Sequence, residues 1–238
     1  MNIAIIFAGG SGRRMTNSSR PKQFLELHGK PIIIYTLEQF ENHPEIDAII
    51  VVCIESWIDT LQQQILRYGL VKIASVVPGG TTGQESIRNG IHEAARLFSE
   101  DSIVLIHDGV RPLIDAETIS KNITTATQKS NCVTCVKAIE TLIIKEGDDV
   151  SDIPQRNNSF LARAPQTFML KDVLDAHEMA RKDGINDFID TCTMMYHYGY
   201  QINTILGPIE NIKITTPTDF FVFRAIVHAR ESEQIFGL

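Results

Sequence analysis

A glycine-rich segment with clustered cations follows the first apolar run of the chain. Residues 7–15 read Phe-Ala-Gly-Gly-Ser-Gly-Arg-Arg-Met, and Arg20 and Lys22 come shortly afterwards. Glycines let backbone N–H groups approach phosphate oxygens, and guanidinium and ammonium groups stabilise the charge of a triphosphate during reaction. The segment therefore predicts a nucleotide-phosphate site, with an exposed polar loop as the competing interpretation.

Two familiar nucleotide-binding fingerprints do not fit this spacing. A dinucleotide-binding turn needs glycine where Met15 stands and an acidic residue about 20 positions further on at the end of the second strand, where the nearest candidate is Glu55. A Walker A loop needs Gly-Lys-Ser/Thr after four spacer residues, and neither Gly10 nor Gly12 begins such a run. A nicotinamide-dependent oxidoreductase is therefore disfavoured.

A carboxylate follows another apolar run, in residues 106–112, Ile-His-Asp-Gly-Val-Arg-Pro. Asp108 is expected at the carboxyl end of a strand, where a single carboxylate can hold Mg²⁺ against phosphate oxygens. Arg111 is expected to stabilise the loop or touch the nucleotide. An Asp-Gly bend with a capping role is the alternative interpretation. We interpret His107 as a strand residue and not as a catalytic base.

Two more segments place glycines or cations near the ends of predicted elements. Residues 78–86 read Pro-Gly-Gly-Thr-Thr-Gly-Gln-Glu-Ser, and Lys213 lies just before the last predicted helix. Open α/β sheets bind ligands at the carboxyl ends of their strands. We therefore expect the loops near residues 8, 78 and 108 to share one rim, whereas a lysine such as Lys213 is usually a solvated surface residue.

The elements that position these loops alternate along the first 136 residues. Unbroken apolar, β-branched runs predict strands that are covered on both faces. Segments with helical spacing lie between them, the first beginning at Lys30-Pro31. This alternation predicts a three-layer, Rossmann-like α/β fold with a mainly parallel sheet. The predicted strands are residues 2–7, 48–54, 73–77, 102–106 and 132–136, and the predicted helices include 57–66, 87–97 and 119–126.

Residues 137–167 interrupt the alternation. They contain a short β-like piece at 141–145, an acidic turn at 146–149 and a polar stretch at 154–158. We interpret this region as an arm that leaves the sheet and packs on another subunit. Beyond it, the pattern predicts helices at 170–182, 188–198 and 217–232 and a strand at 201–206, all within one domain, 1–238.

Composition excludes several classes of protein. The 238 residues include 22 basic and 29 acidic side chains, a net charge of −7, which disfavours nucleic-acid binding. No apolar run approaches the roughly 20 residues of a membrane helix. The short apolar run of residues 2–7 has no basic leader and is soon followed by Gly9 and Gly10, so a cytoplasmic, non-membrane protein is expected. Cys132 and Cys135 have metal-site spacing but should point to opposite faces of a strand.

Taken together, these motifs resemble the polyol-phosphate cytidylyltransferases, a family that includes ribitol-5-phosphate and 2-C-methyl-D-erythritol 4-phosphate cytidylyltransferases. The likeness covers nearly the whole chain. It implies a nucleotidyltransferase fold and a Mg²⁺-dependent reaction of CTP with a polyol phosphate, giving a CDP-polyol and pyrophosphate. The motifs that carry it are residues 8–15, 21–24, 79–80, 107–112, 165–168 and 211–215.

The resemblance also implies roles for individual residues. Arg14 and Lys22 match the pair that stabilises the transition state at the α-phosphorus of CTP. Arg156 and Lys213 match the pair that positions the polyol phosphate, and in the family this arginine comes from the arm of the partner in a homodimer. Asp108 matches the Mg²⁺ carboxylate.

Further positions match the binding surfaces for the two substrates. Thr141 and Asp190 correspond to positions near the polyol phosphate. Residues 81–83, Thr-Thr-Gly, depart from the acidic residue and arginine that relatives commonly carry there. The positions expected to line the nucleotide are Phe7, Ala8, Gly9, Gly10, Gly12, Gly79, Gly80, Ser86 and Arg111.

The acceptor and the class of protein leave alternatives open. Gly10 in the first loop and Val110 before Arg111 favour ribitol 5-phosphate as acceptor. The alternatives are 2-C-methyl-D-erythritol 4-phosphate and another sugar or polyol phosphate. A non-catalytic nucleotide-binding relative is a further alternative.

Overall fold

The structure is a computed structural model that describes residues 1–10 and 20–237, with the backbone alone for residues 233–236. The strands in chain order are β1 (Asn2–Ala8), β2 (Glu26–Leu27), β3 (Lys30–Pro31), β4 (Ala48–Cys53), β5 (Ile73–Pro78), β6 (Ile103–Asp108), β7 (Asn131–Lys137), β8 (Ile144–Glu146), β9 (Asp149–Asp152), β10 (Phe160–Met169) and β11 (Thr204–Leu206). The helices are α1 (Ile32–Glu41), α2 (Ile58–Arg67), α3 (Gly83–Leu97), α4 (Ala116–Lys129), α5 (Leu170–Asp183), α6 (Thr191–His197) and α7 (Pro217–Phe236). None of these described helices combines the length and apolarity needed to cross a bilayer.

A seven-stranded sheet forms the centre of the molecule, in the order β11-β7-β10-β6-β1-β4-β5. β10 is antiparallel to both of its neighbours, β6 and β7, and the other pairings are parallel. Two small hairpins, β2-β3 and β8-β9, lie outside it.

The central strands β1, β4 and β6 are buried on both faces, as the unbroken apolar runs predict. Successive residues of β1 alternate between two cores: Ala4 and Ile6 pack in one, and Ile3 and Ile5 in the other. The first core also holds apolar residues of α1, α2 and α4, and the second those of α3, α5 and α6. This arrangement confirms the three-layer, mainly parallel α/β fold.

The cysteine pair of β7 follows the same alternation. Cys132 packs in the first core and Cys135 in the second, and both are buried free thiols. Burial raises the pKa of Cys132 to about 11 and also raises that of Cys135. Both are therefore core residues, as the strand spacing predicts.

The predicted arm of residues 137–167 is shorter in the structure. Lys137 ends β7, and Phe160–Met169 returns to the sheet as β10 between β7 and β6. The sequence pattern does not predict β10. Pro165 lies inside this strand, and proline is uncommon in the interior of a sheet. The pairing of β10 with β7 also shifts register between Ala162 and Gln166. The arm is therefore residues 138–159, with the exposed β8-β9 hairpin at its centre.

A buried histidine on α5 makes stability depend on pH. His177 is 2% exposed, neither ring nitrogen has a hydrogen-bond partner among the described residues, and burial, with the nearby His92 and Arg88 charges, lowers its pKa to about 4. The His177 ring therefore binds a proton more readily in the unfolded chain than in the folded one. The free energy of unfolding is not reduced by this effect above about pH 6.5, and it falls as the pH drops from there towards 4.

We expect the free energy of unfolding to fall between pH 7.5 and pH 5 by about 2 kcal/mol more in the wild type than in His177→Leu. Urea unfolding followed by circular dichroism at both pH values measures the difference. Equal losses in the two proteins would show that His177 titrates normally. His197→Leu, which removes an exposed histidine of α6, is the matched control.

Candidate active site

A cavity of about 300 Å³ opens at the carboxyl edge of the sheet, between β1, β6, β10 and the loop before α7. This volume lies at the lower end of the range for small-molecule sites. Five residues that the sequence predicts for the site line it: Phe7, Asp108, Arg111, Asp190 and Lys213.

Asp108 is the centre of the charged part of this cavity. Lys213 Nζ lies 2.6 Å from Asp108 Oδ1, and Arg111 Nε lies 2.7 Å from Oδ2. Burial would raise the pKa of the Asp108 carboxyl, but the Arg111 and Lys213 charges outweigh it and lower the pKa to about 2. The carboxylate is therefore ionised at neutral pH and holds both cations in place.

Backbone contacts explain why Arg111 and Lys213 reach the same carboxylate. The N–H of Arg111 donates to the carbonyl of Asp108, which closes a turn directly after β6. The N–H of Ile214 donates to the carbonyl of Val110 at 2.9 Å, so the segment that carries Lys213 is tied to that turn. The sheet edge and the loop before α7 thus form one unit.

His107 precedes this carboxylate but faces the core. It is fully buried, and burial lowers its pKa to about 4. Its Nε2 lies 3.2 Å from the carbonyl oxygen of Arg111. His107 is therefore a neutral strand residue that supports the turn, in agreement with the interpretation from sequence.

Arg163 also lines the cavity, and sequence reasoning missed it. Its Nη1 donates to the carbonyls of Ile209 at 3.0 Å and Asn211 at 2.8 Å. Burial and the charge of the neighbouring Arg111 lower the pKa of Arg163. The Asn211 carbonyl accepts from both arginines. Arg163 lies on β10, and because the sequence pattern does not predict this strand, it does not place Arg163 at the site.

Asp190 lines the cavity at the start of α6. Its Oδ1 accepts from the Thr193 N–H and caps the helix, and its Oδ2 accepts from Gln166 Nε2 at 2.9 Å. Gln166 in turn accepts from the Cys192 N–H through Oε1. The carboxylate is therefore held in one orientation, and its expected contact with substrate stays a prediction.

The glycines after β1 and β5 approach each other beside this cavity. A Cβ on Gly9 would lie 2.9 Å from Ser86 Oγ and 3.3 Å from Gly79 Cα, so the close approach requires glycine. Ser86 Oγ accepts from the Gly80 N–H at 3.0 Å and donates to the Thr82 carbonyl at 2.9 Å. These predicted nucleotide-binding residues form one cluster.

The Thr-Thr-Gly departure in the same loop has a local structural role. Thr82 caps α3, since its Oγ1 accepts from the Glu85 N–H. The N–H and hydroxyl of Thr81 both donate to Glu85 Oε2, at 2.7 and 2.6 Å. This exchange resembles a capping box and fixes the loop.

Lys22 is positioned by the residues that follow it. Lys22–Phe24 forms a short 3₁₀ helix. The buried Gln23 donates through Nε2 to the Ala8 carbonyl at 2.6 Å and the Gly10 carbonyl at 3.3 Å, and Phe24 packs on Trp57. Lys22 is therefore anchored next to the glycine-rich segment. Gly12 and Arg14 lie outside the described residues.

Thr141 and Arg156 lie apart from the cavity of their own chain. Both are on the arm and exposed, Arg156 beginning a short 3₁₀ helix, and neither is part of the described cavity lining. The structure of one chain thus brings together Asp108, Arg111, Asp190 and Lys213 but not the two arm residues.

Comparison with known proteins identifies the family of this chain. The family model for 2-C-methyl-D-erythritol 4-phosphate cytidylyltransferase, IspD, matches residues 2–229. A ribitol-5-phosphate cytidylyltransferase from Vibrio parahaemolyticus is 50% identical over 238 residues, covering 100% of both chains. A 2-C-methyl-D-erythritol 4-phosphate cytidylyltransferase from Geotalea uraniireducens is 36% identical over 232 residues, covering 97% of this chain and 98% of the relative.

A solved structure shares the fold. The 4-diphosphocytidyl-2C-methyl-D-erythritol synthase of Anaerococcus prevotii superposes with a TM-score of 0.81 at 26% identity, covering 95% of this chain and 96% of that one. The predicted α/β nucleotidyltransferase fold and family are thereby confirmed, and the enzyme class is nucleotidyltransferase. The chain belongs to the IspD family of cytidylyltransferases.

Proposed function

We propose that this enzyme transfers a cytidylyl group from CTP to D-ribitol 5-phosphate, giving CDP-ribitol and pyrophosphate. The observation that carries the acceptor is the full-length identity of 50% to a ribitol-5-phosphate cytidylyltransferase, against 36% to a 2-C-methyl-D-erythritol 4-phosphate cytidylyltransferase. Gly10 and Val110 in the two site loops favour the same acceptor.

The proposed reaction is an in-line displacement at the α-phosphorus of CTP. A phosphate oxygen of ribitol 5-phosphate forms the new bond, the bond from the α-phosphorus to the bridging oxygen breaks, and pyrophosphate leaves with both electrons of that bond. The acceptor phosphate is already anionic near neutral pH, so no general base is required. Catalysis then rests on positioning and on stabilisation of charge.

Each cationic residue has a place in this mechanism. Lys22, anchored beside the glycine-rich segment, and Arg14 stabilise the charge that develops on the α-phosphate. Lys213 positions the acceptor phosphate together with Arg156 of a second subunit. Arg111 and Arg163 add positive charge next to Asp108, which supports the binding of two phosphate-bearing substrates.

Mg²⁺ is the expected metal, and Asp108 fits it. The carboxylate is ionised and lies in the cavity, and its oxygens have lone pairs beyond those used by Lys213 and Arg111. Mg²⁺ commonly takes one or two carboxylates and completes its shell with phosphate oxygens and water. When bound, the ion would neutralise charge on the triphosphate and the leaving pyrophosphate.

We further propose a cytoplasmic homodimer in which the 138–159 arm of each subunit reaches the site of the other. The exposed position of Thr141 and Arg156, away from the cavity of their own chain, supports this arrangement. It is the arrangement that the family resemblance implies.

The acceptor is tested by Mg²⁺-dependent pyrophosphate release with CTP, comparing kcat/KM for ribitol 5-phosphate and 2-C-methyl-D-erythritol 4-phosphate. We expect ribitol 5-phosphate to be favoured by at least about tenfold, since loss of a hydrogen-bonded substrate group costs that much or more. A preference for the methylerythritol substrate would instead establish the second candidate, which the family model and the structural relative favour. CTP binding without turnover of either acceptor would indicate a different polyol phosphate.

Replacing Lys22 by alanine should lower kcat by about 10² or more, because a fixed cation next to the developing charge is lost. Steady-state kinetics at saturating CTP and acceptor measures the effect. Lys121→Ala, which removes an exposed lysine from α4, should retain normal kcat. A near-normal kcat in Lys22→Ala would remove Lys22 from transition-state stabilisation.

A further inference from the structure

Three side chains that can bind a metal meet at the surface outside the active-site cavity. His28, His228 and Glu231 are all exposed, and one ligand atom of each lies within 4.8 Å of the others. The two Nε2 atoms lie 3.0 Å apart, within hydrogen-bonding distance, and the rings stack with an interplanar angle of 28°. Two hundred residues of sequence separate the histidines, so the fold brings them together.

His28 occupies a left-handed backbone position that few residues other than glycine take. It lies in the two-residue turn between β2 and β3, where His28 has φ 51° and Gly29 has φ 75°. Turns with two positive φ values prefer asparagine, aspartate or glycine, and another residue there carries a conformational cost. The chain thus holds an imidazole at the tip of the hairpin at some cost in backbone energy.

The other two ligands are on α7, which packs against the same hairpin. His228 and Glu231 are three residues apart and so share a face of the helix. Beneath them, Phe223 of α7 is buried with Leu27 of the hairpin and contacts the Tyr35 ring at 5.4 Å between centroids. The segments that carry the three ligands therefore pack on one apolar cluster. This packing reduces the conformational entropy that is lost when an ion binds.

From this geometry we propose that His28, His228 and Glu231 form a binding site for a divalent transition-metal ion of the Zn²⁺ type. Zn–N bonds of about 2.0–2.1 Å in a tetrahedral site place two imidazole nitrogens roughly 3.3 Å apart, close to the 3.0 Å found here. Two imidazoles and one carboxylate are a known zinc ligand set that leaves the fourth position to water. Imidazole ligands favour Zn²⁺, Ni²⁺ or Cu²⁺ over Mg²⁺, so this site is chemically distinct from Asp108.

Metal binding would join two parts of the chain that flank the active site. The β2-β3 hairpin begins two residues after the 3₁₀ helix that carries Lys22, and α7 begins four residues after Lys213. An ion at the site would fasten the closing helix to the hairpin and restrain both segments.

Zinc titration of tag-free, chelator-treated protein tests the site, with a chromophoric chelator as competitor for Zn²⁺. We expect one equivalent to bind to the wild type. His28→Asn and His228→Gln should each weaken this binding by at least about tenfold, because each removes one of only three protein ligands. Asparagine suits the positive φ of the turn, so His28→Asn should fold normally. His92→Gln, on the exposed face of α3, is the control and should bind as the wild type does.

Thermal unfolding gives a second measurement on the same proteins. Zn²⁺ should raise the Tm of the wild type and of His92→Gln, and should raise the Tm of His28→Asn and His228→Gln by much less. The proposal is overturned if the wild type takes up no zinc, or if both site variants bind it as tightly as the wild type. It is equally overturned if binding is lost in Asp108→Asn and kept in His28→Asn.

Discussion

Replacing Asp108 by asparagine should reduce kcat by about 10³-fold, the largest loss expected for any single described residue. The substitution keeps the shape of the side chain but removes the charge that holds Lys213 at 2.6 Å and Arg111 at 2.7 Å. Both cations would then face each other without a counter-charge, and the expected Mg²⁺ ligand would be lost. Pyrophosphate release at saturating CTP and acceptor measures the effect.

Two further measurements separate this effect from misfolding. Circular dichroism and urea unfolding of Asp108→Asn show whether the chain still folds, since breaking a buried ion pair costs about 3–5 kcal/mol. The Mg²⁺ concentration for half-maximal activity should also rise, which a purely structural change would not cause. Asp59→Asn, on the exposed side of α2 and outside the site and the arm, should behave as the wild type. A folded Asp108→Asn with kcat within a few-fold of normal would rule out a central role for this carboxylate.

Mixing two inactive variants should restore activity if the arm acts across the dimer. In a heterodimer of Arg156→Ala and Asp108→Asn chains, one site would receive both substitutions and the other site neither. Random reassociation of equal amounts makes about half of all dimers mixed, so about a quarter of wild-type activity should return. Each variant alone should remain nearly inactive, because every site then carries the same defect.

The mixed dimers also show whether Arg156 acts within its own chain. If Arg156 serves the site of its own chain, each site of a heterodimer carries one defect and no activity returns on mixing. Sedimentation or light scattering on the same samples establishes that dimers form and exchange subunits. Arg156→Lys, which keeps the charge but not the planar fork, shows whether bidentate contact with phosphate is needed.

The sequence predicted the loops of the site well because strand ends are marked locally. The apolar runs before Gly9, Gly79 and Asp108 are unbroken, so the polar residues that follow each run had to lie at one edge of a parallel sheet. The structure places these loops together, with the Gly9 and Gly79 backbones in near contact. Local pattern and tertiary position agree at these points.

Contacts made by β10 could not be predicted in the same way. The exposed first half of this strand, its register shift and Pro165 remove the alternation on which strand prediction depends. Arg163 and Gln166 were consequently not placed at the site, although Gln166 lay within a motif of the resemblance. The bond between Gln166 and Asp190 joins residues from separate elements, which no local pattern encodes.

β7 and β10 pair at the base of the arm, so the arm can be replaced without changing the rest of the fold. Lys137 pairs with Phe160 in adjacent strands, so residues 138–159 leave and re-enter the sheet at the same place. Insertions, deletions or exchange of the residues between these two need not disturb the sheet register or the loops after β1, β5 and β6. If the arm carries the acceptor contacts proposed above, exchange of residues 138–159 would change the acceptor while the loops after β1, β5 and β6 keep their positions.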